Sequence, residues 1–211
     1  MKKIIITVDG PAASGKGKVA KYISKRWSLK HLDTGILYRR IAYNLLKESI
    51  SFDKKSKILD YIKQKNKLSF KNDKFLRKEE ISIGASKIAV YKFVRNYVNN
   101  YQREFVYNNL NDHGFVIDGR DIGSVVFKNA NLKLYIEVNE TNRAKRRYKQ
   151  LIDSGEKSIY RQILKEIKLR DYKDKNRKYS PLIIPKGAYV INNNGLFINT
   201  VKQINKFIEK I

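Results

Sequence analysis

Along this chain, short unbroken apolar runs alternate with longer segments in which apolar residues recur every three or four positions. Ile4-Ile5-Ile6-Thr7-Val8 is a continuous β-branched run, the form a strand takes when both faces are covered in a parallel sheet. It leads into a glycine-rich turn, and from Gly17 onward Val19, Ala20, Ile23 and Trp27 follow a helical spacing. Leu29 to Asp33 reads as a second short strand, with a helix over Ile36 to Lys47 behind it. Gly114 to Asp118 and Leu132 to Val138 read as two further strands and Ala188 to Asn192 as the last, while Val201, Ile204, Ile208 and Ile211 mark a closing amphipathic helix. Strands alternating with helices imply an α/β protein whose parallel sheet is covered on both faces.

Two stretches interrupt the alternation. Residues 68–83 read as a small hairpin turning at Asn72-Asp73, and residues 141–180 as a polar, mostly helical segment. Pro and Gly are sparse in both, so each reads as an insert on one domain rather than a linker. No stretch approaches the roughly 18 apolar residues of a membrane helix. Asp9 and Gly10 end the first apolar run before a signal-peptide core of about 7 residues can form. The expectation is a soluble, cytoplasmic monomer with no membrane partner.

Composition narrows the chemistry. With 0 Cys there is no disulfide framework, no thiolate nucleophile and no Cys-based zinc or iron–sulfur site. The 2 His, at 31 and 113, leave a His-rich metal centre without ligands. A hydrophobic fraction of 42% argues against wholesale disorder despite a net charge of +26. That charge raises the question of a polyanionic partner, and it is densest over 141–187, where 15 Lys and Arg face 5 Asp and Glu. Yet 33 of the 46 basic residues are lysines scattered among Asn and Ile, a pattern a solvated surface explains as well as a nucleic acid does.

Gly10-Pro11-Ala12-Ala13-Ser14-Gly15-Lys16 is G-x-x-x-x-G-K between a predicted strand and a predicted helix. Glycines let the backbone wrap a phosphate closely, successive N–H groups point inward, and the helix N-terminus adds a favourable dipole. Lys16 then reaches the β- and γ-phosphates as a mobile cation. The Ser or Thr that usually follows the lysine, with its Mg²⁺-binding hydroxyl, is here Gly17, followed by Lys18. That change argues against a GTPase or a motor ATPase, and a glycine there is normal in nucleoside monophosphate kinases.

Further motifs follow in order: Asp33-Thr34-Gly35-x-x-Tyr38-Arg39, then Ala85-Ser86 with Arg95, then Asp118-Gly119-Arg120-Asp121-Ile122-Gly123, then Arg170-Asp171-x-x-Asp174-x-Asn176-Arg177 ahead of Pro181-Leu182. With the phosphate loop first, the chain resembles the bacterial cytidylate (CMP/dCMP) kinases along nearly its whole length. The resemblance implies a three-layer α/β/α P-loop kinase with a five-stranded parallel sheet, a small acceptor-nucleotide insert and a helical lid. The whole chain, 1–211, would be one kinase domain with its insert near 60–100 and its lid near 141–187. It would transfer a phosphoryl group from ATP to CMP and dCMP, with Mg²⁺ accompanying ATP and no metal site of the protein's own.

The resemblance also implies roles. Gly10, Pro11, Ala12, Ala13, Ser14, Gly15, Lys16, Gly17 and Lys18 match the ATP-binding stretch, with Lys18 where the family usually has Thr. Thr34, Arg39, Arg120 and Arg177 match positions that hold the acceptor nucleotide, and Ser86, Arg95 and Asp121 those that read cytosine. Asp174 and Arg170 match lid positions near the sugar and the transferring phosphoryl group, so that Lys16, Arg120, Arg170 and Arg177 form the catalytic set. Cytosine offers an amino donor at N4 and acceptors at N3 and O2, which Asp121 and Arg95 complement.

Plainer readings stand beside these. Arg39 and Arg40 also read as solvated helix residues, Asp118 as a turn cap or a water-mediated partner of Mg²⁺, and Asp174 with Arg177 as a simple pair. Arg143, Arg146 and Arg147 share one helical face, suited to solvent or to ATP. His31, His113 and Trp27 read as structural. Two other functions remain open: a kinase for UMP or AMP, and a non-catalytic nucleic-acid binder, although no specific nucleic acid is expected.

Overall fold

The computed structural model describes residues 3–64, 68–153 and 155–209. Its elements in chain order are β1 (Ile4–Asp9), α1 (Lys16–Arg26), β2 (Lys30–Asp33), α2 (Gly35–Lys47), α3 (Lys55–Lys63), a 3-10 turn (Lys74–Arg77), α4 (Glu79–Ile88) and α5 (Lys92–Asn108). They continue with β3 (Gly114–Gly119), a π-helical turn (Ile122–Val126), β4 (Leu132–Glu137), α6 (Glu140–Asp153), α7 (Tyr160–Asn176), β5 (Tyr189–Asn192) and α8 (Phe197–Ile208). Ile211, assigned from the sequence to the closing helix, lies outside the described residues. No described helix is long and apolar enough to cross a membrane.

The strands form one five-stranded parallel sheet, as expected, and its order is β2-β3-β1-β4-β5. β1 is central, paired in parallel with β3 from Ile4 opposite Gly114 to Asp9 opposite Gly119, and with β4 from Ile6 opposite Leu132 to Asp9 opposite Tyr135. The strand order reverses across β1, and the carboxyl ends of strands at such a switch point are where α/β sheets bind ligands. The phosphate loop leaves β1 at that end.

The chain divides into two compact units, one running to His31 and resuming at Asp112, the other Leu32–Asn111. In the first, period-two alternation sends Ile6 and Val8 to one face of β1, where they meet Val116, Leu134, Ile136 and Ile191 of the sheet, Val19, Ala20 and Ile23 of α1, and Ile204 and Ile208 of α8. Each such fully buried aliphatic side chain contributes roughly 1.5–3 kcal/mol. A satellite cluster joins α6 and α7 through Ala144, Ile163 and Ile167, and Ala13 of the phosphate loop packs against it.

The second unit is helical. Leu37, Ile41, Ala42 and Leu45 of α2 pack with Ile58 and Ile62 of α3, Ile81, Ala85 and Ile88 of α4, and Val94 and Val98 of α5. The hairpin expected over residues 68–83 is not formed: this stretch holds the 3-10 turn and the start of α4. The physical reason is a 3.6-residue period, since Ile81, Ala85 and Ile88 lie on one buried helical face, and Glu79 and Glu80 favour a helix start in the first turn. Close packing at Gly84, where a Cβ would run into the Phe52 ring, fixes that helix against the loop between α2 and α3.

Candidate functional site

The phosphate loop is shaped by positions only glycine can fill. A Cβ on Gly10 would lie 2.7 Å from the Ile136 carbonyl oxygen, and one on Gly15 2.6 Å from Asn193 Nδ2. Gly15, at φ 82°, is also left-handed, and so is Ala13 at φ 55°, a conformation that costs a non-glycine residue about 1–2 kcal/mol. α1 begins immediately after Gly15 with no side-chain cap and no acidic residue in its first turn. Its positive end therefore has no competing carboxylate of its own, the requirement for an anion site. Lys16 folds back so that Nζ donates to the Pro11 carbonyl at 3.3 Å.

Three side chains distant in sequence support this loop. Asn193, 4% exposed, donates from Nδ2 to the Ser14 carbonyl at 2.8 Å and accepts at Oδ1 from the Thr200 hydroxyl at 2.8 Å. Arg146 Nη2 donates to the Asn193 carbonyl at 2.6 Å, and burial lowers the pKa of that guanidinium. Arg143, 2% exposed, donates from Nη1 to the Ala12 carbonyl at 3.1 Å, from Nε to the Val138 carbonyl at 3.0 Å, and from Nη2 to Asp171 Oδ2. This corrects the surface reading of Arg143: it is an internal tie between the phosphate loop, α6 and α7.

Gly17 has room for a side chain, because a Cβ there would meet only Asp118 Oδ2, at 3.9 Å. The hydroxyl usual at this position is thus absent by sequence and not for want of space. Asp118, 4% exposed at the end of β3, sets its other oxygen, Oδ1, 2.6 Å from His31 Nε2. Lys18 is exposed, and its ammonium lies 4.1 Å from the centre of the Phe197 ring.

At the carboxyl end of β3 the chain enters Arg120 and Asp121. Both oxygens of Asp9 receive backbone N–H groups from the residues that follow, Ile122 at 2.8 Å and Gly123 at 2.7 Å. Asp121 is 4% exposed, and its carbonyl accepts from Val125 and Val126 in the π-helical turn. Arg120 Nε donates to Asp174 Oδ2 at 3.0 Å, while Arg177 Nη1 donates to Asp174 Oδ1 at 3.1 Å and its Nε to the Ser180 carbonyl. Burial pushes the Asp174 carboxyl up, but the charges of Arg120, Arg177 and Arg170 together pull it below its usual value. Asp174 and Arg177 do pair, as the plainer reading had it, but within a cluster where three guanidiniums share one carboxylate. Arginine's planar fork, held on one side by a carboxylate, suits phosphate oxygens on the other.

The remaining expected site residues lie in the helical unit. Thr34, 3% exposed, precedes α2. Arg39 Nη1 is 4.0 Å from Asp33, and Gly35 makes room, since a Cβ there would lie 3.1 Å from both the Arg39 guanidinium and Asp33 Oδ1. Arg95, 3% exposed on α5, donates from Nε to the Ala89 carbonyl at 2.7 Å and sets its guanidinium 5.5 Å from the Tyr38 ring centre. Ser86 is half-buried on α4. Arg40 is not a solvated residue as expected: it donates to the carbonyls of Ser69 and Lys71 and pairs with Asp73 at 3.0 Å, organising the loop ahead of the 3-10 turn.

No group of three or more His, Cys, Asp or Glu able to hold a metal occurs among the described residues. Asp9, Asn193, the internal role of Arg143 and the pairing of His31 with Asp118 are what sequence patterns did not disclose.

The cytidylate kinase family model matches residues 6–211. The chain is 39% identical to the cytidylate kinase of Bartonella tribocorum, with 100% of this chain and 97% of that protein covered. It is 38% identical to the cytidylate kinase of Fusobacterium nucleatum, with 100% of both covered. Among solved structures, TT1252 from Thermus thermophilus superposes with a TM-score of 0.54 at 16% identity, covering 100% of this chain and 99% of that one, which speaks for the fold alone.

Proposed function

The chain belongs to the cytidylate kinase family, and from that premise we propose that it transfers the γ-phosphoryl group of ATP to the phosphate of CMP or dCMP, using the residues that follow. A phosphate oxygen of the acceptor attacks the γ-phosphorus in line, the bond from that phosphorus to the β,γ-bridging oxygen breaks, and ADP leaves with the electron pair. The acceptor phosphate is already dianionic, so no proton need be removed by a base. Catalysis then consists of positioning and of stabilising charge on the transferring group. Gly10 to Lys18 cradle the donor phosphates on the uncapped end of α1, with Lys16 as the mobile cation. Arg120, Arg170 and Arg177 meet the acceptor and transferring phosphates, and Asp174 holds them in place. Thr34 and Arg39 bind the acceptor nucleotide, while Ser86, Arg95 and Asp121 read the base. The second compact unit carries the acceptor insert, and α6 and α7 form the lid.

The single observation that carries this reading is the Asp174 cluster, in which one carboxylate orients Arg120 and Arg177 and feels the charge of Arg170, the arrangement of arginines that phosphate binding needs. Mg²⁺ would accompany ATP: with glycine at 17 in place of a hydroxyl residue, the nucleotide's own phosphates would be its main ligands. Asp118, beside Gly17, would hold one of its waters. When bound, the ion neutralises charge on the β- and γ-phosphates. We place the enzyme in the cytoplasm, where its nucleotide substrates are, and take it to act as a monomer.

An ADP-release assay across CMP, dCMP, UMP, AMP and GMP tests the reading. CMP and dCMP should be used fastest. Faster use of UMP or AMP would assign a different acceptor, and tight nucleic-acid binding at about 0.15 M salt with no transfer to any nucleotide would refute the kinase.

A further inference from the structure

Asp9 has no task in the reaction just described, yet it is 0% exposed beside the phosphate loop and both its oxygens are engaged. Alternation along β1 places Thr7 and Asp9 on the face opposite Ile6 and Val8, under the π-helical turn Ile122–Val126. The first N–H groups of such a turn need acceptors, ordinarily from the side chain in the cap position. Asp121 occupies that position and makes no capping hydrogen bond with its own side chain. Asp9 supplies the acceptors instead, from 113 and 114 residues away. The fit requires Gly123, because a Cβ there would lie 2.7 Å from Thr7 Oγ1 and 3.2 Å from Asp9 Oδ2.

We propose that Asp9 is a positioning residue for the acceptor nucleotide: by capping this turn from β1 it fixes Arg120 and Asp121, and it does so fully only as a carboxylate, so that proton uptake at Asp9 weakens binding of the nucleoside monophosphate. The inference rests on the reading of Arg120 and Asp121 as acceptor-binding residues. A carboxylate takes one N–H on each oxygen, whereas a carboxyl group turns a hydroxyl toward one of the two donors and leaves that buried N–H poorly satisfied. Burial raises the Asp9 pKa from 3.8 to about 7, against the opposing pull of its two backbone hydrogen bonds. Around it, Lys16 of α1 opposes the rise, Asp121 adds to it, and Tyr135 of β4 interacts with it in turn, while on β3 Gly119 stands opposite with the carboxylate of Asp118 next in the strand.

The experiment measures KM for CMP, KM for ATP and kcat between pH 5.5 and 8.5, for the wild type and for Asp9→Asn, which offers one acceptor where two are needed. In the wild type, KM for CMP should rise about tenfold from pH 8 to pH 6, and KM for ATP should change by less than about twofold. The acceptor phosphate titrates near pH 6 in its own right. Asp9→Asn should keep that lower limb, lose the one near pH 7, and show at pH 8 the raised KM that the wild type shows only in acid. In parallel, carbon-13 NMR of wild-type protein labelled at aspartate should find a carboxyl titrating near pH 7, which keeps the test decisive even where the variant fails to fold. A CMP KM flat between pH 6.5 and 8 or no carboxyl titrating above pH 6 would overturn the proposal, as would an Asp9→Asn enzyme with the wild-type profile. If no cytidine nucleotide is turned over at any pH, the functional reading falls and this proposal with it; turnover with a flat CMP KM removes this proposal alone.

Discussion

Asp9 and Asp174 are both buried carboxylates in the same compact unit, and their surroundings drive them in opposite directions. Asp9 meets two backbone N–H groups and the field of one lysine, and burial still raises its pKa to about 7. Asp174 meets Arg120 and Arg177 directly and the charge of Arg170 besides, so that burial is outweighed and its pKa falls. Dipoles alone do not cancel the desolvation of a carboxylate, whereas several guanidiniums do. One site thus holds a carboxylate that is permanently ionised near neutral pH and another poised to titrate there.

The largest expected effect comes from breaking the side of this pair that charge holds. Asp174→Ala removes the carboxylate that Arg120 and Arg177 share, and losing one partner of a buried ion cluster costs about 3–5 kcal/mol in stability. Loss of oriented arginines should also reduce kcat by about 10²–10³. Urea unfolding and the ADP-release assay check both, and an Asp174→Ala enzyme with near-normal stability and kcat would remove the contrast with Asp9.

Stability against pH sharpens the comparison, because the two groups contribute with opposite sign. Asp9 binds its proton more tightly in the folded state than in the unfolded, so its contribution falls as pH rises from about 4 to about 7, by about 4 kcal/mol over the full window. Asp174, with its lowered pKa, contributes stability that is present above 3.8 and is lost only as pH falls below that value, through its folded pKa. The difference in unfolding free energy between wild type and Asp9→Asn should therefore shift against the wild type from pH 4 to pH 7, with Asp174 constant over that range. A pH-independent difference would show that Asp9 is ionised throughout.

Asp121 tests the same coupling at a smaller scale. Its charge raises the Asp9 pKa, so Asp121→Ala should move the Asp9 titration to lower pH as well as removing a partner for the cytosine amino group. KM for CMP should rise by about 10- to 100-fold with KM for ATP little changed. Equal damage to both nucleotides would withdraw Asp121 from the base.

Why the pattern of the chain disclosed one half of this arrangement and concealed the other follows from sequence distance. β1, α1 and the phosphate loop are written in consecutive residues, as a β-branched run, a glycine spacing and a helical period, and all three form where expected. The arginines of α7 and of the loop after β3 stood out within motifs. The supporting contacts did not, because Asp9 reaches Ile122 across 113 residues, Arg143, visible only as one of a basic helical face, reaches Ala12 across 131, and Asn193 reaches Ser14 across 179. An isolated Asp or Asn carries no local mark of a partner so far away. The mistaken hairpin at 68–83 has a local cause: Leu68, Phe70 and Phe75 with an Asn-Asp pair imitate alternation about a turn, while the buried face of α4 begins only at Ile81.

Lys18 extends the comparison to a charge at the surface and carries the smallest expected effect. Its ammonium over Phe197 gains about 0.5–1 kcal/mol from the ring. As a cation in the first turn of α1 it loses about 0.3–1 kcal/mol against the helix dipole. These nearly cancel, so Lys18→Thr should shift the melting temperature by no more than about 2–4 °C. The backbone N–H of residue 18, which donates to the Gly15 carbonyl at 2.9 Å, survives the substitution and keeps the loop's form. KM for ATP should accordingly change by less than about threefold, and its dependence on salt should weaken with the loss of one positive charge near the phosphates. A tenfold or greater fall in kcat for Lys18→Thr would instead make this exposed lysine a partner of the donor phosphates, held for them by the Phe197 ring as Arg120 and Arg177 are held by Asp174.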